Sequence, residues 1–190
     1  MNIANWLTVM RVVLVPVFAA FMLIEEIPMG YLWALAVFGI ASVTDMLDGK
    51  IARKYDMVTD FGKFLDPLAD KILVAAALVC MVELRWTYAW VVIVILVREF
   101  AVSGVRLVAA SGEKKTVIAA GMLGKLKTAV TMIAIAVILA LHIAEGFGWI
   151  TAEFPAQLIT DVLMYVTAAL TVVSGAQYIY DYREFIDPRK

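Results

Sequence analysis

Four aspartates in a hydrophobic chain have the residue type and spacing to do chemistry. Asp45 and Asp48 are three residues apart, and Asp66 and Asp70 are four apart. In a helix, either spacing puts both carboxylates of a pair on one face. A short polar segment joins the two pairs, so the two helices are expected to be antiparallel neighbours. All four carboxylates can then converge near one end of both helices.

Carboxylates gathered this closely repel one another unless a cation lies among them. The pattern therefore predicts a divalent-metal site, with two ions expected. The single histidine and single cysteine lie elsewhere in the chain, so all ligands are oxygens, which favours Mg²⁺ or Mn²⁺ over Ca²⁺. The simpler alternative is that the aspartates cap helices and pair with nearby Lys and Arg. That would suffice for one aspartate, but four at these spacings favour metal.

Two glycines and an arginine accompany the aspartates. Gly49 and Gly62 leave room for a phosphate or nucleotide to approach the backbone. Arg53 lies about one helical turn beyond Asp48 and can bind a phosphate through its two-pronged guanidinium. Together with metal, these residues indicate a site for a pyrophosphate, whose charge the ions would neutralise. For the glycines alone, helix packing through small residues is the alternative.

The elements that must position these residues are membrane-spanning helices. Of 190 residues, 64% are hydrophobic and 17% are charged, which is too apolar for one soluble core. The apolar runs are continuous, which disfavours a transmembrane barrel. We therefore predict an all-α integral membrane protein with six transmembrane helices, forming a single domain over residues 1–190. The predicted spans are Trp6–Ile24, Met29–Thr44 (continuing as a polar helix to Asp48), Phe61–Val82, Trp86–Ala110, Leu123–Ala144 and Pro155–Tyr180, with a charged connection from Lys50 to Asp60.

The distribution of charge predicts the orientation. Six spans place both termini on one side, and with the N-terminus inside, every Lys and Arg except Arg85 falls on the inner side. The positive-inside rule then puts both termini in the cytoplasm. Several of these basic residues lie within predicted helices, which indicates a polar cavity open to the cytoplasm. The outer connections are acidic: Glu25, Glu26, Glu83, Glu145 and Glu153.

The chemistry-bearing residues form one continuous motif. It reads Asp45-x-x-Asp48-Gly49-x-x-Ala52-Arg53, then eight residues, then Gly62-x-x-x-Asp66-x-x-x-Asp70. At all eight specified positions it resembles the signature of the CDP-alcohol phosphatidyltransferases. Further segments over about residues 1–130 resemble the bacterial phosphatidylglycerophosphate synthases of that family, with Ala4 departing from an expected proline. Those segments are Asn2–Thr8 (followed by Arg11 and Pro16), Phe61–Lys71, Arg98–Phe100, Ser103–Arg106 and Gly124–Thr128.

The resemblance implies a specific reaction. Members of this family transfer a phosphatidyl group from CDP-diacylglycerol to an alcohol and release CMP. In the subfamily the acceptor is sn-glycerol 3-phosphate. The resemblance also implies a six-helix homodimer in the bacterial cell membrane, with an active site facing the cytoplasm and no nucleic-acid partner. The family's residue roles can be carried over to this sequence by position. Two metal ions are then held by Asp45, Asp48, Asp66 and Asp70, of which Asp70 is also the general base. The CDP moiety is bound by Asp48, Gly49, Ala52, Arg53 and Gly62.

An acceptor that carries its own phosphate needs further cations. Four basic residues lie in or beside the later predicted spans on the inner side, and a base in a membrane span implies an anionic partner. They are therefore candidates for binding the acceptor phosphate. The alternative is that they reach lipid headgroups or pair with Glu99 and Glu113. The four are Arg98, Arg106, Lys125 and Lys127.

Three other functions are compatible with parts of this sequence. A related transferase that uses inositol phosphate or serine shares the signature, although the basic residues favour a phosphorylated acceptor. A divalent-cation transporter would leave Gly49, Arg53 and Gly62 without a role, and the later spans contain no second, symmetry-related acidic set. A catalytically silent scaffold is disfavoured because the signature is complete.

Overall fold

The part of the chain that the computed structural model describes consists of α-helices joined by short turns. It describes the backbone of residues 3–55, 60–111, 121–151 and 153–182, and the side chains of residues 9–44, 71–105, 121–151 and 153–182. Within those ranges there is no β-strand. The helices are α1 (Ile3–Leu23), α2 (Gly30–Tyr55), α3 (Asp60–Glu83), α4 (Ala89–Ser111), α5 (Met122–Gly146) and α6 (Ala156–Asp181).

Each predicted span corresponds to one of these helices, with ends that differ by a few residues. The main error concerns the predicted connection from Lys50 to Asp60. The helix α2 continues to Tyr55, so the first part of that segment is helical. Residues such as Ala52, Arg53 and Lys54 have high helix propensity, and a run of charge does not by itself end a helix. The predicted connection is therefore wrong for Lys50–Tyr55.

The last two helices have the length and apolar character best suited to crossing a membrane. Among the described residues, α5 and α6 are long and apolar enough to cross a bilayer, and shorter apolar stretches occupy Val9–Leu23 and Gly30–Thr44. Large apolar side chains are also exposed on the helix surfaces, for example Ile40, Val97 and Leu158. Water would oppose so much exposed apolar surface, whereas lipid accommodates it. The six crossings themselves stay a prediction.

The chain divides into two compact units. The first comprises Met1–Arg85 and Ile135–Ala156. Within it, α1 packs against both α2 and α3. Phe18 of α1 and Phe38 of α2 are buried, and their ring centroids lie 6.1 Å apart. Such packing of side chains, more than hydrophobic burial, holds helices together when lipid surrounds them.

The turn between α1 and α2 depends on a glycine. Met29 has a positive φ of 58°, and Gly30 begins α2 directly after it. A Cβ atom at Gly30 would lie 2.4 Å from the carbonyl oxygen of Phe21. That distance is far below van der Waals contact with an atom of the backbone, which cannot easily move. Gly30 therefore allows α2 to start close against α1.

The second unit comprises Trp86–Ala134 and Gln157–Lys190. Its helix α6 buries a row of small polar residues, among them Thr167, Thr171 and Ser174. The hydroxyls of Thr167 and Thr171 donate to the carbonyl oxygens of Leu163 and Thr167, at 2.8 Å and 2.7 Å. These internal bonds satisfy the hydroxyls away from water, and the small side chains let neighbouring segments approach α6 closely. The prediction of one domain over residues 1–190 stays a prediction.

Candidate active site

The signature motif lies on two helices of the first unit. Because α2 is helical through Tyr55, its five signature positions follow helical geometry without interruption. At 3.6 residues per turn they fall within an arc of about 140° around the helix axis. The helical backbone therefore supports the expectation of one functional face. The five are Asp45, Asp48, Gly49, Ala52 and Arg53.

The rest of the signature lies on α3, which is helical from Asp60 onward. Gly62, Asp66 and Asp70 follow one another at intervals of four, so these positions fall within an arc of about 80°. The helices α2 and α3 both pack against α1, and only residues 56–59 separate them along the chain. A connection this short is compatible with antiparallel neighbours, as the sequence predicts.

The side chains of residues 45–70 lie outside those that the structure describes. The described side chains include no group of three or more His, Cys, Asp or Glu that could hold a metal ion, and the four aspartate carboxylates are not among them. Convergence of the four carboxylates, the metal site and the CDP-binding residues therefore stay predictions.

The candidate acceptor residues are in the second unit, where two of them meet at one carboxylate. Lys127 of α5 donates from Nζ to Oε1 of Glu99 on α4. Arg98 donates from Nη1 to the same oxygen at 3.3 Å. The exposed fractions of the Lys127, Arg98 and Glu99 side chains are 3%, 13% and 15%. Burial of two cations is costly without a nearby anion, so Glu99 stabilises both.

Arg98 also lies against α6. Its Nη2 donates to Oγ of Ser174 at 3.0 Å. A Cβ atom added at Gly175 would lie 2.8 Å from Cγ of Arg98, so the arginine side chain occupies the space that any other residue at 175 would fill. The guanidinium is thus held by Glu99 on its own helix and by Ser174 on α6.

The other two candidates are placed differently. Lys125 is exposed, because it lies two residues from Lys127 and so on the opposite side of α5. The side chain of Arg106 lies outside those described. The structure thus brings Arg98 and Lys127 together and leaves Lys125 apart from them. Pairing with Glu99, the alternative considered from the sequence, does occur, while Glu113 lies outside the described residues.

Sequence reasoning gave Ser174 and Gly175 no role. Both lie in the last apolar span, about 75 residues from Arg98, and nothing in the local pattern links them to it. The available signal was weak: a Ser-Gly pair on the same helical stripe as Thr167 and Thr171. The sequence also assigned no site role to Arg11 of α1, which is 4% exposed in the first unit.

Comparison with known proteins settles the family. A family model described as CDP-alcohol phosphatidyltransferase matches residues 1–173 of the chain. The chain belongs to the CDP-alcohol phosphatidyltransferase family. This confirms the resemblance drawn from the signature and the prediction that the protein is a phosphatidyltransferase enzyme. Membership of this family and two helices long and apolar enough to cross a bilayer together indicate a membrane protein.

Relatives within the family carry more specific names. The chain is 45% identical to the CDP-diacylglycerol–glycerol-3-phosphate 3-phosphatidyltransferase of Bacillus subtilis, over 93% of each chain. It is 38% identical to the Haemophilus influenzae protein of the same name, over 94% of this chain and 91% of the relative. It is 37% identical to a probable phosphatidylglycerophosphate synthase of Mycobacterium tuberculosis, over 94% of this chain and 80% of the relative. The resemblance to phosphatidylglycerophosphate synthases among CDP-alcohol phosphatidyltransferases is therefore confirmed.

Proposed function

We propose that this chain is a CDP-diacylglycerol–glycerol-3-phosphate 3-phosphatidyltransferase. It transfers a phosphatidyl group from CDP-diacylglycerol to sn-glycerol 3-phosphate and releases CMP, a step of phospholipid biosynthesis. The observation that carries the proposal is that relatives with this name match the chain over nearly its whole length. The complete signature on α2 and α3 supports the same reaction.

Two divalent ions, Mg²⁺ or Mn²⁺, would be held by the carboxylates of Asp45, Asp48, Asp66 and Asp70. The residues fit such ions because their donor atoms are all carboxylate oxygens, which hard divalent cations prefer. Their helical spacing of three and four residues fits as well. When bound, the metal neutralises the charge of the diphosphate linkage and of the departing phosphate.

The CDP moiety is held by residues of the same two helices. Gly49, Ala52 and Gly62 present little side-chain bulk, so that the nucleotide can lie close to the helix backbones. Arg53 binds a phosphate oxygen through its guanidinium. Asp48 contributes a carboxylate to the same face of α2.

Asp70 is the general base. The acceptor hydroxyl attacks the β-phosphorus of CDP-diacylglycerol, and Asp70 takes its proton as the new P–O bond forms. The bond from phosphorus to the CMP oxygen breaks, and its electron pair leaves with CMP. Because the signature contains no serine, histidine or cysteine, one displacement without a covalent enzyme intermediate is expected.

The acceptor phosphate is bound by basic residues of the later helices. Arg98 and Lys127 lie together in the second unit, where Glu99 holds the two cations side by side. Arg106 and Lys125 are further candidates. A guanidinium and an ammonium group presented side by side suit a phosphate dianion.

We further propose the arrangement of the enzyme in its membrane. All six helices cross the bacterial cell membrane as a single domain, with both termini, the active site and its polar cavity on the cytoplasmic side. The exposed apolar side chains on the helices and the positions of the Lys and Arg residues support this arrangement. Two copies form a homodimer among the membrane lipids.

The proposal is tested by measuring CMP release from purified protein in the presence of Mg²⁺. CDP-diacylglycerol is supplied with sn-glycerol 3-phosphate, inositol phosphate or serine as acceptor, singly and in competition. We expect rapid release only with sn-glycerol 3-phosphate, and a phosphatidylglycerol phosphate product. Faster release with inositol phosphate or serine would assign the chain to a related transferase. Metal flux in proteoliposomes without any CMP release would refute the transferase reaction.

A further inference from the structure

The path of the Arg98 side chain depends on α6 as well as on its own helix. A Cβ atom at Gly175 would lie 2.8 Å from Cγ, 3.5 Å from Nε and 3.7 Å from Cδ of Arg98. These atoms belong to the middle of the side chain, where a small rotation cannot relieve a clash as it can at a flexible end. A methyl group at position 175 would therefore push Arg98 onto a different path.

The far end of Arg98 is fixed by two oxygens on different helices. Nη2 donates to Oγ of Ser174 at 3.0 Å, and Nη1 donates to Oε1 of Glu99 at 3.3 Å. Ser174 is itself only 5% exposed, and its hydroxyl donates to the carbonyl of Thr171 at 3.2 Å. The serine oxygen is thereby held in position to accept from Arg98. The two contacts therefore set both the direction of the Arg98 side chain and the rotation of its guanidinium plane.

Glu99 connects this arginine to Lys127, whose ammonium group contacts the same carboxylate oxygen. Two like charges brought this close would repel each other without the carboxylate between them. One carboxylate therefore fixes the spacing of the two cations. An oxyanion bound by both would meet a pair of donors that is already arranged.

We propose that Gly175, Ser174 and Glu99 are positioning residues that set the preference of this enzyme for a phosphorylated acceptor. They act through Arg98 and Lys127 and not by contact with the reacting atoms. Guanidinium recognition of a phosphate depends on the orientation of its planar fork, so a displaced Arg98 loses affinity even though its charge remains. The inference rests on the proposed function and names the part of the protein that selects its acceptor.

The key variant is Gly175→Ala, and Gly39→Ala is its matched control. Both substitutions add one methyl group within an apolar helix. At Gly39, no described atom outside the surrounding backbone lies within 4 Å of the added Cβ. CMP release is measured with purified full-length protein, varying sn-glycerol 3-phosphate and CDP-diacylglycerol separately. For Gly175→Ala we expect KM for sn-glycerol 3-phosphate to rise about tenfold, with KM for CDP-diacylglycerol changed less than about twofold. For Gly39→Ala we expect neither KM to change.

A double-substitution cycle tests whether Gly175 acts through Arg98. If it does, Gly175→Ala has little further effect in an Arg98→Ala background.

Ser174→Ala provides a second variant without added volume. We expect its KM for sn-glycerol 3-phosphate to rise about threefold, because one hydrogen bond to Arg98 is lost. It keeps the test decisive if Gly175→Ala does not fold. Rescue by Ser174→Thr, which keeps the hydroxyl, is expected.

Three outcomes overturn the inference while the proposed function stands. They are an unchanged KM for sn-glycerol 3-phosphate in Gly175→Ala and Ser174→Ala, an equal rise in KM for both substrates, and a full effect of Gly175→Ala in the absence of the Arg98 side chain. Failure of the wild-type protein to release CMP with sn-glycerol 3-phosphate would instead refute the proposed function. The two failures are therefore distinguished by the wild-type measurement.

Discussion

Lys127 of α5 and Glu99 of α4 form an ion pair inside the second unit, with the lysine side chain only 3% exposed. A buried lysine must have its charge balanced nearby, and Glu99 provides that balance for Arg98 as well. The pair is separated by 28 residues along the chain. It holds α5 to α4 at the level where the acceptor-binding residues are proposed to lie.

Removal of the Lys127 charge should therefore impair the enzyme more than removal of the Lys125 charge. For Lys127→Met we expect KM for sn-glycerol 3-phosphate to rise about tenfold, because one charge-assisted hydrogen bond to the phosphate is lost. Lys125→Met is the matched comparison, since it removes the same group two residues away on the exposed side of α5. Initial rates of CMP release give both values. A larger effect at Lys125 would reverse the assignment.

Asp70→Asn should abolish turnover while the protein still folds. Loss of the base costs about 10²- to 10⁴-fold in kcat, and the amide keeps the size of the side chain. Asp161→Asn is the control, because that carboxylate accepts from Gln157 within α6 and has no proposed role in catalysis. Single-turnover CMP release and binding of CDP-diacylglycerol are measured for both. Near-normal turnover in Asp70→Asn would remove Asp70 from the mechanism.

Chelation of divalent metal should stop the reaction reversibly. We expect EDTA to eliminate CMP release and added Mg²⁺ or Mn²⁺ to restore it, with Ca²⁺ supporting much less because it favours larger and more flexible coordination. Titration calorimetry with Mg²⁺ in the presence of CDP should give two ions per chain, and none in Asp45→Asn/Asp66→Asn protein. Full activity after exhaustive chelation would contradict the metal site.

Gly30→Ala should destabilise the first unit without changing KM for either substrate. The added methyl group would lie 2.4 Å from the carbonyl oxygen of Phe21, and relief of such overpacking costs roughly 1–3 kcal/mol. Gly39→Ala lies on the same helix, at a position where no described atom outside the surrounding backbone is within 4 Å of the added Cβ. It should be neutral or stabilising by up to about 1 kcal/mol. Thermal unfolding midpoints in detergent compare the two. Equal midpoints would show that the turn adjusts freely.

The helices could be predicted from the sequence because their signals are local. Apolar runs of about 20 residues mark the helices wherever they occur, and each predicted span has its counterpart within a few residues. The exception is the end of α2. Lys50–Tyr55 resembled a loop because it is charged, but helix propensity and charge are separate properties, and α2 continues through it.

The sequence alone indicated the family and the helical class, which the comparisons and the structure confirm. It also predicts the chemistry-bearing residues of α2 and α3, since fixed spacings within single helices dictate which positions share a face. Only the tertiary structure decided which of the basic residues are buried together and which are exposed. It buries Lys127 and exposes Lys125, and it places Arg98 against Ser174 and Gly175 of α6. Those relationships join residues tens of positions apart, and their geometry follows from helix packing, which no local pattern encodes.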